Sequence, residues 1–343
     1  MPEETYRGRR AQRIETADLR VTVLVEGGHI AEIADKRTGV NPLWTPPWPS
    51  IEPSTYDRAK HPEYGADAES KLLAGIMGHN LCLDLWGGPS PEEAAAGMTV
   101  HGEASIAAYR ISFGAHELTA ACSLPAAHLQ FERKIRLDRG RVLISETVEN
   151  MSILDRPIAW TQHVTLGPPY LERGVTQFRA PGTKCRTLSP NQDFDWPIAP
   201  RGAGEREDMQ LFTCPPGSGG FDTVLMDPHR DQAFFFAYSP KSKLLFGYVW
   251  NRADFPWLGV WQENNGRAQP PWGGRTMTRG MEFGASPVPE SRRKMIDRNA
   301  MFGVPSYRWL PAKTKLRSEY NAFITDAKSI PETLEELEVH VPA

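Results

Sequence analysis

Residues 129–150 read LQFERKIRLDRGRVLISETVEN, and this stretch decides the fold class. Leu129, Phe131, Ile135 and Leu137 alternate with Gln130, Glu132, Lys134 and Arg136, the period-2 pattern of a strand with one buried face. Asp138-Arg139-Gly140 then turns the chain into Val142, Ile144 and Val148, which predicts an antiparallel hairpin. Upstream, Leu19, Val21, Val23 and Val25 alternate with Arg20, Thr22 and Glu26, and Gly27-Gly28 separates them from a second run, His29 to Ile33. That is a second hairpin. Further β-like runs are Ala104 to Phe113, Ile158 to Leu166, Thr223 to Met226, Gln232 to Tyr238 and Leu244 to Val249, each bounded by Gly, Pro, Asp or Ser.

Helical character is confined to Pro91 to Gly97 and to Ser329 to Leu337, where Ser329 and Glu332 have capping-box spacing. No period of 20 to 50 residues recurs, and the proline-dense Trp44 to Pro53 reads as an extended loop. Many short strands with few helices predict an all-β protein, a large antiparallel β-sandwich with a short C-terminal helix. The expected organisation is an N-terminal extension over residues 1–14, a single β domain over 15–325 and a C-terminal segment over 326–343.

Composition narrows the partners. The 343 residues carry 39 basic and 42 acidic side chains, a formal net charge of −3, with no basic block to track a phosphate backbone, so nucleic acid is not expected. The longest apolar stretches, Ala233 to Tyr238 and Leu244 to Trp250, fall well short of the roughly 18 residues a membrane helix needs. Met1 to Glu15 is rich in Arg and Glu and has no apolar stretch resembling a secretory signal. Cys82, Cys122, Cys185 and Cys214 are scattered without a C-x-x-C pair, which fits a reducing compartment. A cytoplasmic protein is expected. Ten Trp, 30 Pro and 29 Gly suggest many turns and aromatic surfaces available for stacking.

Familiar catalytic motifs are absent. There is no G-x-G-x-x-G, G-x-x-x-x-G-K-[ST], H-E-x-x-H or G-x-S-x-G, and His116-Glu117 lacks its second His. Asn150-Met151-Ser152 fits a glycosylation sequon but reads better as an Asn closing a strand. No two His lie at metal-ligand spacing, so no metal or other cofactor is expected.

Several segments place polar groups among Gly and aromatics: Gly78-His79-Asn80, His101-Gly102-Glu103, Thr161-Gln162-His163, Trp257 to Glu263, and Arg279-Gly280-Met281-Glu282-Phe283-Gly284. These are the groups carbohydrate chemistry uses. A sugar offers hydroxyls to charged and amide side chains and a C–H face to an aromatic ring, while His and a carboxylate exchange its protons.

In order and spacing, Gly27-Gly28 leading to Asn41-Pro42-Leu43-Trp44, His101-Gly102, the 131–150 hairpin running into His163, and Glu282 in Gly-Met-Glu-Phe-Gly resemble the galactose mutarotase (aldose 1-epimerase) superfamily, in a divergent branch. The resemblance implies a supersandwich fold with two His and a late Glu lining a groove on one sheet, and it places them at His101, His163 and Glu282. It departs from the family in two places. Lys71 to Val100 contains no Arg where the family usually has one, and His163 is followed by Val164-Thr165-Leu166 instead of Pro-Tyr-Phe.

The expected function is interconversion of sugar anomers by acid/base ring opening, on a monosaccharide or sugar-derivative substrate. Glu282 is the expected general base, held in a raised-pKa setting but ionised at rest, and His163 the general acid, with His101 beside them. His79, Glu103, Trp257, Trp261 and Glu263 are expected to bind substrate, with Asp84 and Trp86 as further groove residues. Two alternatives stand beside this reading: a non-catalytic carbohydrate-binding protein, and a glycoside hydrolase or lyase using the paired carboxylates Glu103 and Glu282.

Overall fold

The expected central hairpin pairs Leu129–Asp138 with Arg141–Asn150 in unbroken antiparallel register, Leu129 opposite Asn150 and Asp138 opposite Arg141. Arg139 and Gly140 both take positive φ, 46° and 78°, as a two-residue loop matched to strand twist requires. The early hairpin pairs Leu19–Leu24 with Ile30–Asp35, and Gly27 and Gly28 supply its two left-handed residues at φ 80° and 59°. This computed structural model describes residues 4–114 and 117–338. His116 lies outside the described residues, as do 1–3 and 339–343 of the two terminal segments.

Two large antiparallel sheets carry the chain. The first has twelve strands, in the order Glu4–Tyr6, Arg9–Glu15, Leu19–Leu24, Ile30–Asp35, His79–Asp84, Arg156–Leu166, Met277–Gly284, Trp257–Asn264, Ser218–Met226, Gly182–Thr187 and Gln192–Asp195, with Arg308–Leu310 paired to the start of Arg156–Leu166. The second has eight: Gln177–Arg179, Gln232–Ser239, Leu244–Asn251, Lys315–Asp326, Arg141–Asn150, Leu129–Asp138, Glu117–Leu124 and Arg110–Phe113. The large core lies between them, filled by side chains such as Val21, Trp160 and Val164 from one sheet and Phe131, Ile144 and Tyr248 from the other. The all-β sandwich read from the sequence is the observed fold.

Within that apolar layer sits one fully enclosed polar network. Arg133 Nε donates to Glu146 Oε1 at 2.7 Å, Glu146 Oε2 accepts from Trp160 Nε1 at 2.9 Å and Gln162 Nε2 at 2.6 Å, and Tyr320 donates to Glu146 Oε1 at 2.7 Å. His79 joins through Gln162 Oε1 at 3.0 Å and the Tyr248 hydroxyl at 2.9 Å. Both sheets contribute, so the ion pair is neutralised and hydrogen-bonded, the condition under which buried charge is tolerated.

Several boundaries differ from the sequence reading. Residues expected as an extension form strands, Arg9–Glu15 pairing with Leu19–Leu24 from Ala11 opposite Leu24 to Glu15 opposite Arg20. Ala104 to Phe113 is strand only from Arg110, its first part being a 3-10 turn over Glu103–Ser105. The C-terminal helix begins at Leu334, not Ser329. Thr333 Oγ1, accepting from the Glu336 amide at 3.3 Å, occupies the position assigned to Ser329. Ala327, Ile330 and Leu337 of that segment cover Phe234, Phe236 and Phe323 on the outer face of the second sheet. Two short helices escaped the sequence reading, Ser70–Gly75 and Arg292–Arg298; both are under two turns or close to it, too short to show a period. No helix among the described residues is long and apolar enough to cross a membrane.

Candidate functional site

The strand Arg156–Leu166 has two working faces. Ile158, Trp160, Gln162, Val164 and Leu166 point into the intersheet layer, so alternation turns Thr161, His163 and Thr165 to the other side. Glu282 is the direct cross-strand partner of His163, and Asn80 flanks it on the opposite strand. Cross-strand partners have Cβ atoms about 5 Å apart, which brings the two side chains together. His163 Nε2 lies 3.2 Å from Glu282 Oε1. His163 Nδ1 lies 3.0 Å from Thr165 Oγ1, and Trp86 Nε1 donates to Glu282 Oε2 at 3.0 Å.

Glycines make room for this arrangement. A Cβ on Gly280 would stand 2.5 Å from Glu282 Oε1, and one on Gly259, opposite Glu282 on the next strand, 2.9 Å from the Trp86 indole. His101 arrives from a separate segment through a tight turn, with φ 64° at His101 and 75° at Gly102. A Cβ on Gly102 would meet the Leu83 carbonyl oxygen at 2.1 Å, so the close crossing needs glycine there. The turn sets the His101 ring 4.8 Å from that of His163. His101 Nδ1 is buried without a hydrogen-bond partner among the described residues.

These groups floor a cavity of ≈ 230 Å³ whose walls are aromatic and apolar: Trp44, Trp86, Phe221, Trp261, Trp272, Leu72, Leu73, Ile76, Val100 and Pro289. Much of the wall belongs to the proline-dense loop and the Ser70–Gly75 helix, which pack as one cluster against Trp272 and Trp261. Two charged side chains face the same space, Glu69 and Arg267. The Arg267 guanidinium lies 4.6 Å over the Trp272 ring and 5.4 Å over Trp261, with Glu263 Oε2 at 3.5 Å and Glu69 Oε2 at 3.9 Å.

Burial sets the protonation states. Desolvation pushes the Glu282 carboxyl from 4.5 up to about 8, against the opposing hydrogen bond from Trp86 and the charge of Arg267. Desolvation likewise pushes His163 down to about 4 and His101 well below its ordinary value. At neutral pH Glu282 is therefore mostly a carboxylic acid and both imidazoles are neutral, contrary to the expectation of an ionised resting base. The two groups stand 3.2 Å apart, Nε2 to Oε1, with desolvation favouring the neutral form of each. Among the described residues no group of three or more His, Cys, Asp and Glu is arranged to hold a metal ion.

Of the residues singled out in the sequence, His101, His163, Glu282, Trp261 and Trp86 come together at the cavity. The others do not. His79, opposite Val164, points into the intersheet network, where Tyr248 and Gln162 occupy both ring nitrogens. Glu103 accepts from the Ala127 amide at 2.8 Å. Trp257 is wholly buried with Leu225, Val288 and Met301 and donates to the Pro305 carbonyl at 3.0 Å. Glu263 accepts the Gly266 and Arg267 amides at 2.6 and 3.0 Å, which fixes the loop that presents Arg267. Asp84 pairs with Arg156 at 2.6 Å and with Arg292, a lock between two strands and a helix. Arg267, Glu69, Trp44 and Trp272 were missed; the one signal in the sequence was a cation and aromatics clustered in irregular segments.

Solved structures share this backbone. A candidate aldose 1-epimerase from Klebsiella pneumoniae superimposes with a TM-score of 0.65 at 14% identity, over 90% of this chain and 77% of that one. A galactose mutarotase-like protein from Clostridium acetobutylicum gives 0.63 at 13% identity over 94% and 98%. A galactose mutarotase related enzyme from Lactobacillus acidophilus gives 0.59 at 10% over 94% and 99%. No protein-family model and no curated protein matches the sequence. At such identities the likeness is one of backbone, and over nine-tenths or more of its length this chain has the galactose mutarotase-like fold.

Proposed function

We propose that the cavity takes one sugar ring and interconverts its anomers by opening and reclosing the hemiacetal, with Glu282 as general base and His163 as general acid. The observation that carries this reading is the 3.2 Å contact between His163 Nε2 and Glu282 Oε1 on the floor of an aromatic cavity. Ring opening needs a proton removed from the anomeric hydroxyl and another delivered to the ring oxygen. Carboxylic acid with neutral imidazole, and carboxylate with imidazolium, contain the same number of protons. One proton transfer across the 3.2 Å contact therefore converts the resting pair into the working pair.

The carboxylate then takes the O1 proton, the C1–O5 bond breaks as C1=O1 forms, and the imidazolium gives its Nε2 proton to O5. Rotation about C1–C2 offers the other carbonyl face, and the reverse steps close the ring. Trp261 and Trp272 suit the C–H face of a pyranose, while Arg267 and Glu69 offer hydrogen bonds to its hydroxyls. Hydrolysis by paired carboxylates is disfavoured because Glu103 is committed to a backbone amide and does not line the cavity. The four buried, unpaired cysteines favour a reducing, cytoplasmic setting for this chemistry.

Polarimetry of freshly dissolved aldoses, with sugar affinity measured in parallel, tests the reading. Wild type should exceed the spontaneous rate on at least one sugar. Glu282→Gln and His163→Asn should each lose about 10² to 10⁴ of that rate while binding within about twofold of wild type. Sugar binding by wild type without anomer exchange would sink the enzymatic reading and leave a binding protein.

A further inference from the structure

We infer that Trp86 is a positioning residue: its indole N–H holds one carboxyl oxygen of Glu282, so that the other is presented to His163 and the cavity. The consequence for turnover rests on the acid/base reading above, whereas the hold on the carboxyl does not.

An indole N–H can only donate, so the 3.0 Å bond from Trp86 Nε1 to Glu282 Oε2 has one possible direction in either protonation state of the acid. Both partners are buried, 1% and 2% exposed. Among the described residues it is the only hydrogen bond made to this carboxyl. The terminal torsion of a glutamate is soft and roughly two-fold, so nothing within the side chain fixes the plane of the carboxyl. The indole does. With Oε2 on Nε1, Oε1 lies 3.2 Å from His163 Nε2, in the room left by Gly280.

The fold clamps the donor as firmly. The Trp86 ring packs with Cys82, Ala159 and Met295, meets Phe221 edge-on at 5.5 Å, and lies where a Cβ on Gly259 would press against it. Two residues earlier, Asp84 ends its strand with φ 70°, and Arg156 and Arg292 both grip its carboxylate. None of these three lines the cavity, yet their lock fixes the turn that delivers the indole.

A donor of this kind favours the carboxylate over the acid. Burial pushes the Glu282 carboxyl up, and Trp86 is first among the influences that oppose it, ahead of Arg267. The other titratable or charged groups around the carboxyl are His163 on the next strand, His101 from its turn, Cys82 on the strand beyond and Glu69 at the cavity. Only the indole bonds to Oε2 among the described residues. In the proposed cycle, the carboxylate that takes the O1 proton is the form Trp86 supports, and Oε1 is the oxygen that takes it.

Carbon-13 NMR of glutamate-labelled protein, with Glu282→Gln assigning its carboxyl signal, follows the titration directly. Trp86→Phe keeps an aromatic ring in the wall and removes the donor, and it should raise the midpoint of Glu282 by about 1 to 2 pH units. It should also cut kcat about 10- to 100-fold with KM changed less than about threefold. A midpoint that stays or falls overturns the inference, because a wall residue alone gives the charge no support. A second measurement needs no variant at position 86 to fold. In wild type one of the ten indole N–H signals should move with the Glu282 titration, and the movement should vanish in Glu282→Gln. If no indole signal follows the carboxyl, the inference falls. A midpoint that rises as stated in Trp86→Phe, from a wild type that turns over no sugar, upholds the role of Trp86 and removes the enzymatic reading instead.

Discussion

Replacing Glu282 by glutamine tests the electrostatics of the site with no assumption about substrate. The amide keeps the shape, can still accept from Trp86 Nε1 and can still donate to His163 Nε2, so what is removed is the ability to ionise. In the fold the carboxyl titrates near about 8 instead of 4.5 because burial penalises the charged form. Between those pH values the folded protein holds a proton that the unfolded chain has released, so stability falls as pH rises through the window. At 1.36 kcal/mol per pKa unit the full loss is roughly 5 kcal/mol, of which about 4 kcal/mol falls between pH 5 and 9.

Urea unfolding followed by tryptophan fluorescence, at about pH 5, 7 and 9, measures it. Wild type and Glu282→Gln should be nearly equal at the acid end, and the variant should be more stable by about 4 kcal/mol at the alkaline end. Titrating groups remote from Glu282 cancel in the difference. If the gap between the two proteins stays constant across that range, the buried-acid description of Glu282 is wrong, and with it the shared-proton mechanism.

The acid limb has the opposite sign. His163 and His29, lowered to about 4 and about 3, refuse a proton that the unfolded chain accepts near 6.5, so the stability they confer is present above that pH and is lost as the solution is acidified. His163→Asn should remove roughly 3 kcal/mol of that acid sensitivity between about pH 6.5 and 4, seen by circular dichroism as a lower acid midpoint than that of wild type; coincident midpoints would count against it. Gly102→Ala should cost roughly 3 kcal/mol or more, from a left-handed backbone and a Cβ driven into the Leu83 carbonyl. Gly220→Ala, with open space around it, should stay within about 0.5 kcal/mol in the same thermal melts, and equal losses for the pair would refute the steric argument.

What the sequence revealed follows from where periodicity survives. The 129–150 hairpin has one apolar face and one solvated face, so alternation exposed its strands, turn and register. Glu282 and His163 stood out as polar residues in runs that otherwise read as buried. The same reasoning misplaced His79, because all six residues of His79–Asp84 are buried and a strand covered on both sides gives no sign of which parity faces which layer. Arg133 and Glu146 passed unnoticed in apolar positions for a related reason: each is satisfied by the other across the hairpin and by groups from distant strands. Glu103 and Glu263 look like ligand-binding carboxylates in sequence but serve backbone amides, a distinction that only tertiary structure draws. Arg267 and the Trp44–Trp272 wall come from loops whose mutual placement no local pattern encodes.

The strand Arg156–Leu166 ties two duties to one count of residues. Its even-numbered side chains anchor the intersheet network through Gln162, and its odd-numbered ones supply His163 to the cavity with Thr165 against its ring. Deleting or inserting a single residue before Gln162 would exchange the two sets, sending an imidazole toward Glu146 and an amide toward Glu282. A length change in this strand is thus a double fault, scaffold and chemistry failing in one event. Tolerated insertions in descendants of this chain should gather in the loops that roof the cavity, where new substrate preferences can be tried without disturbing that count.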